Sequence, residues 1–206
     1  MKYITNILFF VVLLLITAVD SYTQPTEQWN ARFNGLLDST DVSNDIVVDN
    51  AGNSYVTGYS YTLLGLLTSA VTISYDPNGV QRWSQTYDQL LSLTNDEGKA
   101  IVLDNTQQYV YVAGYTNSIL GLTNADYVII KYRASDGQQI WVRTYNNGLL
   151  GNDEATSIAM DSQNNPVITG FSQGFLLILT PYDYATIKYD QNGNQQWVRR
   201  YNGTGN

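Results

Sequence analysis

The sequence predicts an all-β fold, a β-propeller of four-stranded antiparallel blades with three full repeats plus one orphan outer strand. The first observation behind this prediction is a period of about 56 residues, shown by three sets of repeated residues. They are Trp29, Trp83, Trp141 and Trp197; Gly58, Gly114 and Gly170; and Asp49, Asp104 and Asp161. The second is that each period holds four short β-type segments, an arrangement typical of a propeller blade.

The strands are clearest in the third repeat. Its segments alternate in polarity and are rich in β-branched and aromatic residues, and they cover residues 157–161, 167–171, 185–189 and 196–201. Asn-Gly or Asp-Gly pairs at 78–79, 136–137 and 192–193 provide the positive φ that a tight hairpin needs. We therefore expect a strand at 27–34 and blades at about 36–87, 88–145 and 146–201.

Composition excludes several kinds of chemistry. The 206 residues include no Cys and no His, and the formal net charge is −8. Without Cys there can be no disulfide, thiolate nucleophile or Cys-ligated metal. Without His there can be no Ser-His-Asp triad and no His-ligated metal. The acidic charge also argues against nucleic acid as a partner.

The N-terminus resembles a signal peptide. Lys2 precedes a 13-residue apolar run, Ile7–Val19, and polar residues follow at once. A membrane-spanning helix needs about 20 apolar residues, so the run fits the core of a signal peptide better. We expect residues 1–23 to be cleaved and residues 24–206 to be secreted or held at the cell surface, with no transmembrane anchor. An uncleaved anchor is the alternative.

The motifs of the third repeat resemble those of the SBBP family, bacterial β-propeller repeats of secreted and cell-surface proteins. These motifs are residues 152–161, 167–170, 183–190, 192–197 and 200–203. The second repeat keeps most of them, whereas the first departs, with Ser69-Ala70 in place of Asp-Tyr and Ser74 in place of Lys. The resemblance implies a fold and export, and it implies no reaction.

The number of blades raises a question about ring closure. Outer-strand motifs, a Trp followed four residues later by an aromatic residue, occur four times, while the other three strands occur three times. Propellers close with about four to eight blades. We therefore expect closure by further blades in cis, as in a longer parent protein, or alternatively by self-association.

Most repeated polar positions are predicted to be structural. Glu97 and Glu154 occupy equivalent positions and could form a paired-carboxylate site, but catalytic residues are seldom copied from blade to blade. Asp41, Asp96 and Asp153 are expected to accept backbone N–H bonds in the loop entering each blade, with calcium binding as the alternative. Apart from this calcium alternative, no cofactor is expected. The four tryptophans are expected to pack between blades.

The loops between the second and third strands are apolar in every repeat. In a four-stranded meander they project to the same end of the molecule as the Leu-rich loops that enter each blade. The candidate binding face consists of Leu64, Leu66, Leu120, Leu122, Leu176 and Leu177. The alternative is that these loops pack on one another as a small satellite core.

These features predict a non-catalytic scaffold that binds a protein or a glycan through the Leu-rich loop face. One alternative is an extracellular hydrolase or lyase that uses carboxylates and tyrosines in the propeller channel. Such an enzyme would need polar residues specific to one blade, whereas the repeats carry the same residues. Another alternative is a structural spacer within a larger surface protein.

Overall fold

A computed structural model describes residues 27–35, 39–62, 67–88, 94–118, 124–148, 151–174 and 182–203. The chain divides into two compact units, residues 1–30 and 31–206. The described residues of the first unit, 27–30, are exposed. The predicted signal peptide (1–23) and the six leucines of the candidate binding face lie outside the described residues.

The second unit contains three four-stranded antiparallel sheets, each a simple meander. The first sheet consists of β1 (Asp41–Val48), β2 (Ser54–Tyr61), β3 (Thr68–Tyr75) and β4 (Gln81–Tyr87). The second consists of β5 (Thr94–Leu103), β6 (Tyr109–Ser118), β7 (Asp126–Arg133) and β8 (Gln139–Tyr145). The third consists of β9 (Asp153–Met160), β10 (Pro166–Gln173), β11 (Tyr182–Tyr189) and β12 (Gln195–Tyr201). The all-β propeller-repeat prediction is confirmed.

Tight turns connect the first strand to the second and the third to the fourth in every sheet. Gly79, Gly137 and Gly193 have φ values of 79°, 74° and 80°, as the Asn-Gly and Asp-Gly pairs predict. Aspartates hold the turns; the Asp49 carboxylate, for example, accepts bonds from the backbone N–H groups of Ala51 and Asn53 at 2.9 and 2.8 Å. We call this end of the sheets the turn end and the opposite end the loop end.

The segment at 27–34 differs from the expected strand. Residues 27–35 have no strand conformation in the structure. The physical reason is pairing: β3, β7 and β11 already have a strand on each side, so none offers a free edge to this segment. Phe33 instead packs against Val71, Ile73 and Tyr75 on the first sheet.

The sheets stack face to face through two apolar cores. We call the face of each sheet that carries the repeated tryptophan its front and the opposite face its back. The front of the first sheet packs on the back of the second, with Tyr55 and Trp83 against Val128 and Ile130. The front of the second packs on the back of the third in the same way, with Trp141 against Ile187 and Tyr189.

Two sheet faces have no described sheet packed against them. On the back of the first sheet, Ile46 and Val48 are 57% and 55% exposed. On the front of the third sheet, Tyr184 and Tyr201 are 68% and 61% exposed. Within the described ranges, no helix is long and apolar enough to cross a membrane.

Candidate functional site

The repeated glycines have a steric role. A Cβ on Gly58, Gly114 or Gly170 would lie 1.9, 1.8 and 1.9 Å from a carbonyl oxygen of the neighbouring first strand. Each of these strand pairs has an irregular register at this point. The bulge presses a carbonyl onto the next strand, and only a residue without a side chain fits there. These three positions are therefore structural.

The aspartates at the start of the first strands hold the loop end. The Asp41 carboxylate accepts the backbone N–H of Gly35 at 2.9 Å, and that of Asp153 accepts the N–H of Asn147 at 2.9 Å. Asp96 is fully buried and accepts the hydroxyl of Thr94. Asp41 and Asp153 thus each bond to a backbone N–H of the loop that precedes their strand, and Asp96 bonds to a side-chain hydroxyl.

The asparagines just before two of these aspartates join neighbouring sheets. The Asn95 side chain accepts the N–H of Thr68 at 3.1 Å, and that of Asn152 accepts the N–H of Ala125 at 3.3 Å. Both bonds cross from one sheet to the previous one. Sequence reasoning missed this role, although the repeated Asn-Asp-Glu motif was the signal for it.

Calcium binding at the loop end stays a prediction. Among the described residues, no group of three or more carboxylate side chains could hold a metal ion. Burial, together with the negative charge of Asp153, raises the pKa of Asp126 to about 6.

The two glutamates interact with a lysine and a tyrosine. Lys99 forms an ion pair with Glu97, whose other carboxylate oxygen accepts the Tyr115 hydroxyl at 2.8 Å. Burial raises the pKa of Glu154, while the positive charge of Lys99 opposes this shift. A lysine is therefore close to both carboxylates, and Glu97 is held by two partners.

Two of the four repeated tryptophans bond across sheets. The indole N–H of Trp83 donates to the carbonyl of Ala134 at 3.0 Å, and that of Trp141 donates to the carbonyl of Gln191 at 3.1 Å. Trp197, on the uncovered front of the third sheet, is half-buried. Trp29 is 37% exposed, so its side chain differs from the buried tryptophans.

An aromatic cup lies at the loop end of the third sheet. It has a volume of about 330 Å³ and is lined by Phe171, Tyr182, Asp183, Tyr184, Tyr201 and Gly203. The rings of Phe171 and Tyr182 meet edge to face at 5.1 Å, and those of Tyr184 and Tyr201 are stacked at 6.4 Å. Sequence reasoning missed the cup because its residues lie on three strands.

A polar network lies on the back of the same strands, on the opposite face from the aromatic rings. Arg200 donates to the Asp183 carboxylate at 2.7 Å and to the Ser172 hydroxyl at 2.7 Å. Ser172 in turn donates to Asp153, which anchors the loop that enters the third sheet. Exposed aromatic rings beside Asp183 suit a ligand with apolar C–H faces and hydroxyl groups.

A second depression lies at the turn end, between the first and second sheets. It has a volume of about 390 Å³, and Arg82 and Arg133 lie on opposite sides of it. Arg82 donates to the Tyr55 hydroxyl at 3.1 Å, and Tyr55 donates to Asp49 at 3.0 Å. Asp136 pairs with Arg133 at 2.8 Å. Both guanidinium groups therefore already have protein partners.

Comparison with known proteins supports the fold. Residues 28–65 match the family model SBBP, described as a beta-propeller repeat. This match confirms the resemblance drawn from the motifs, although it falls on the first repeat and the motifs agree best in the third. No curated protein matches the chain in sequence.

Twenty-seven chains of solved structures match the fold. One, titled as a crystal structure of the eukaryotic initiation factor, is 11% identical with a TM-score of 0.50. The match covers 84% of this chain and 35% of that one, so this chain spans about a third of its length. Another, a fucose lectin from Kordia zhangzhouensis in complex with methyl-fucoside, is 13% identical with a TM-score of 0.42. The match covers 77% of this chain and 99% of the lectin chain.

Proposed function

We propose that this chain is a secreted or cell-surface, non-catalytic β-propeller repeat scaffold that binds a protein partner through its loop end. The observation that carries the proposal is the difference between the two ends of the sheets. Short turns held by aspartates form one end, and the longer, Leu-rich connections all leave from the other. Loops on a rigid framework are the usual place for binding residues.

The engaged carboxylates support a non-catalytic role. Asp41 and Asp153 hold backbone N–H groups of the entering loops, and Glu97 is held by Lys99 and Tyr115. A general acid or base must be able to exchange its proton with a substrate. Carboxylates that already hold loops or a lysine are poorly suited to that task.

The leucine substitutions Leu64→Ser, Leu120→Ser and Leu177→Ser, combined in one chain, test the proposal. The control is Ile140→Ser, because Ile140 is 40% exposed on β8, near the turn end. Each purified chain is immobilised and incubated with culture medium and envelope proteins of the source organism. We expect the native and control chains to retain the same proteins and the triple variant to lose them.

Equal capture by all three chains would overturn the role of the leucines. Thermal unfolding separates binding from packing. A triple variant that melts at the native temperature supports an exposed binding face. A marked drop in its melting temperature would instead support the alternative that the leucines form a satellite core.

The aromatic cup favours a second candidate function, carbohydrate binding. Tyr184 and Tyr201 offer exposed ring faces in a cup that Asp183 also lines. Titration with a panel of monosaccharides and disaccharides tests this function. Tyr184→Ala is expected to abolish binding, whereas Val80→Ala, which alters an exposed residue at the turn end, is expected to leave it unchanged. Absence of binding to the whole panel by the native chain would reject this candidate.

A further inference from the structure

We propose that the front of the third sheet binds the back of the first sheet of a second copy of this chain. This contact would repeat, head to tail, the contact that joins neighbouring sheets within the chain. The front of the third sheet has no described sheet upon it, and the back of the first sheet is covered only by Phe33 among the described residues, leaving Ile46 and Val48 exposed; these two faces are the two halves of that interface. Heterologous contacts of this kind form rings when the rotation closes.

The contact between the second and third sheets shows what such a front face binds. Trp141 and Lys131 both donate to the carbonyl of Gln191, at 3.1 and 3.0 Å. Tyr127 donates to the carbonyl of Ala185 at 3.1 Å, and Arg143 donates to that of Gly193 at 2.9 Å. The front face therefore places four donors on backbone carbonyls of the next sheet.

The third sheet carries the same four side-chain types at equivalent positions. Strand pairing places Tyr184 opposite Tyr201, as Tyr127 is opposite Tyr145, and Lys188 opposite Trp197, as Lys131 is opposite Trp141. The fourth donor is Arg199, which corresponds to Arg143. Tyr127 is fully buried, whereas Tyr184 is 68% exposed. The third sheet thus carries a complete set of blade-docking residues with no described sheet over them, and Lys188 is meanwhile paired with Asp161 at 2.7 Å.

The back of the first sheet presents the complementary positions. Ile46 is paired with Val56, as Ile101 is with Val112, and Val48 is paired with Ser54, as Leu103 is with Val110. Ile101 and Leu103 are 6% and 9% exposed beneath the first sheet, whereas Ile46 and Val48 remain more than half exposed. Covering these two side chains would remove apolar surface from water.

The hairpin turn of the first sheet also fits a docked tryptophan. A Cβ on Gly137 or Gly193 would lie 2.7 or 2.9 Å from the ring of Trp83 or Trp141, so each ring packs directly on a turn glycine. Gly79 is the equivalent residue of the first sheet, with φ 79°. Trp197 of one copy would therefore pack on Gly79 of the other. The same docking brings Arg199 next to the turn that contains Asp76.

Phe33 occupies part of the same surface within the chain. It packs on Val71, Ile73 and Tyr75, which correspond to the residues of the second sheet that lie under Tyr55 and Trp83. Residues 31–35 must move aside when a second copy docks. We therefore expect Phe33→Ser to strengthen association, because it weakens the competing contact inside the chain.

Analytical ultracentrifugation over a range of concentrations tests the proposal with the full chain. Two copies of three sheets give six, within the range of about four to eight blades in which propellers close. We expect a species of twice the monomer mass. Tyr184→Glu and Ile46→Glu should each weaken its formation about tenfold or more, because each places a charge in the buried contact. Ile140→Glu is the matched control and should not change it.

Each result decides the proposal. A chain that stays monomeric at high micromolar concentration overturns it, as does association that needs Tyr184 but not Ile46, which would indicate a front-to-front contact. Sugar binding that requires Tyr184 in a monomeric chain would assign the face to a carbohydrate. Mixing the Tyr184→Glu and Ile46→Glu chains should restore one intact contact, and failure to associate would contradict the head-to-tail arrangement.

Discussion

Glycines at equivalent positions in the three sheets show how one residue type fixes the backbone of a repeat. A Cβ at Gly114 would lie 1.8 Å from the carbonyl oxygen of Glu97, and both groups belong to paired strands. The backbone cannot yield without breaking this pairing. The sequence marked these glycines by their spacing, but only the bulge explains why a side chain is excluded.

We expect Gly114→Ala to destabilise the chain by about 3 kcal/mol, because the added methyl group forces two strands apart. Gly203→Ala adds the same group where nothing lies within 4 Å, so its cost is limited to the roughly 1 kcal/mol of placing a side chain at a φ of 51°. Urea denaturation measures both free energies of unfolding. Equal effects of the two substitutions would show that Gly114 is not under steric constraint.

Asp126 makes stability depend on pH. Its folded-state pKa of about 6 exceeds the ordinary value of 3.8, because burial and Asp153 disfavour the charged form. The charged Asp126 therefore lowers the free energy of unfolding above pH 6. This free energy rises as the pH falls from about 6 to about 4, because the folded state takes up a proton before the unfolded state does. The sequence could not reveal this, since Asp126 and Asp153 belong to different sheets.

Asp126→Asn is expected to stabilise the chain at pH 7 by about 1 kcal/mol, less than the full pKa shift implies, because the carboxyl is partly solvated. The gain should shrink as the pH is lowered to 4. Asp183→Asn is the matched control, because Asp183 holds the equivalent position and pairs with Arg200 at 2.7 Å. It should destabilise the chain at pH 7. Identical pH profiles of the native chain and Asp126→Asn would contradict the assignment.

At the scale of strands and sheets, the tryptophans distinguish covered faces from uncovered ones. Trp141 is 8% exposed and bonds to Gln191 of the next sheet, whereas the equivalent Trp197 has no described sheet above it. Trp141→Phe should lower the free energy of unfolding by about 2 kcal/mol, since it removes a buried hydrogen bond and part of a ring. Trp197→Phe, measured at low protein concentration, should have little effect. Equal decreases in the free energy of unfolding for the two variants would mean that the front of the third sheet is covered in solution.

Strands and turns could be predicted where the same sequence pattern recurs in every repeat. The strands and the hairpin turns with Gly79, Gly137 and Gly193 follow from local pattern and period. The segment at 27–34 shows the limit of this reasoning, because a strand requires an available partner edge as well as a suitable sequence. The aromatic cup escaped prediction for a related reason, since its lining comes from β10, β11 and β12.

At the scale of residues 31–206, the sheets stack in chain order, and each of the two cores between sheets joins one sheet to the next. The second sheet is covered on both faces, and Val110, Val112, Ile129 and Ile130 are at most 1% exposed. The first and third sheets each have one face without a described sheet upon it. Stability in such a stack is approximately a sum of local terms and neighbour interfaces, so it should be highest in the middle.

Hydrogen exchange followed by mass spectrometry measures this gradient along the chain. At low protein concentration, amides of β6 and β7 should exchange slowest, and those of β1 and β12 faster, because outer elements open without unfolding the centre. Uniform protection would indicate a single cooperative unit instead. If two copies associate head to tail, raising the concentration should slow exchange selectively in β1, β11 and β12, since these strands carry the two faces that become covered. Unchanged exchange in these strands would argue that the faces remain open.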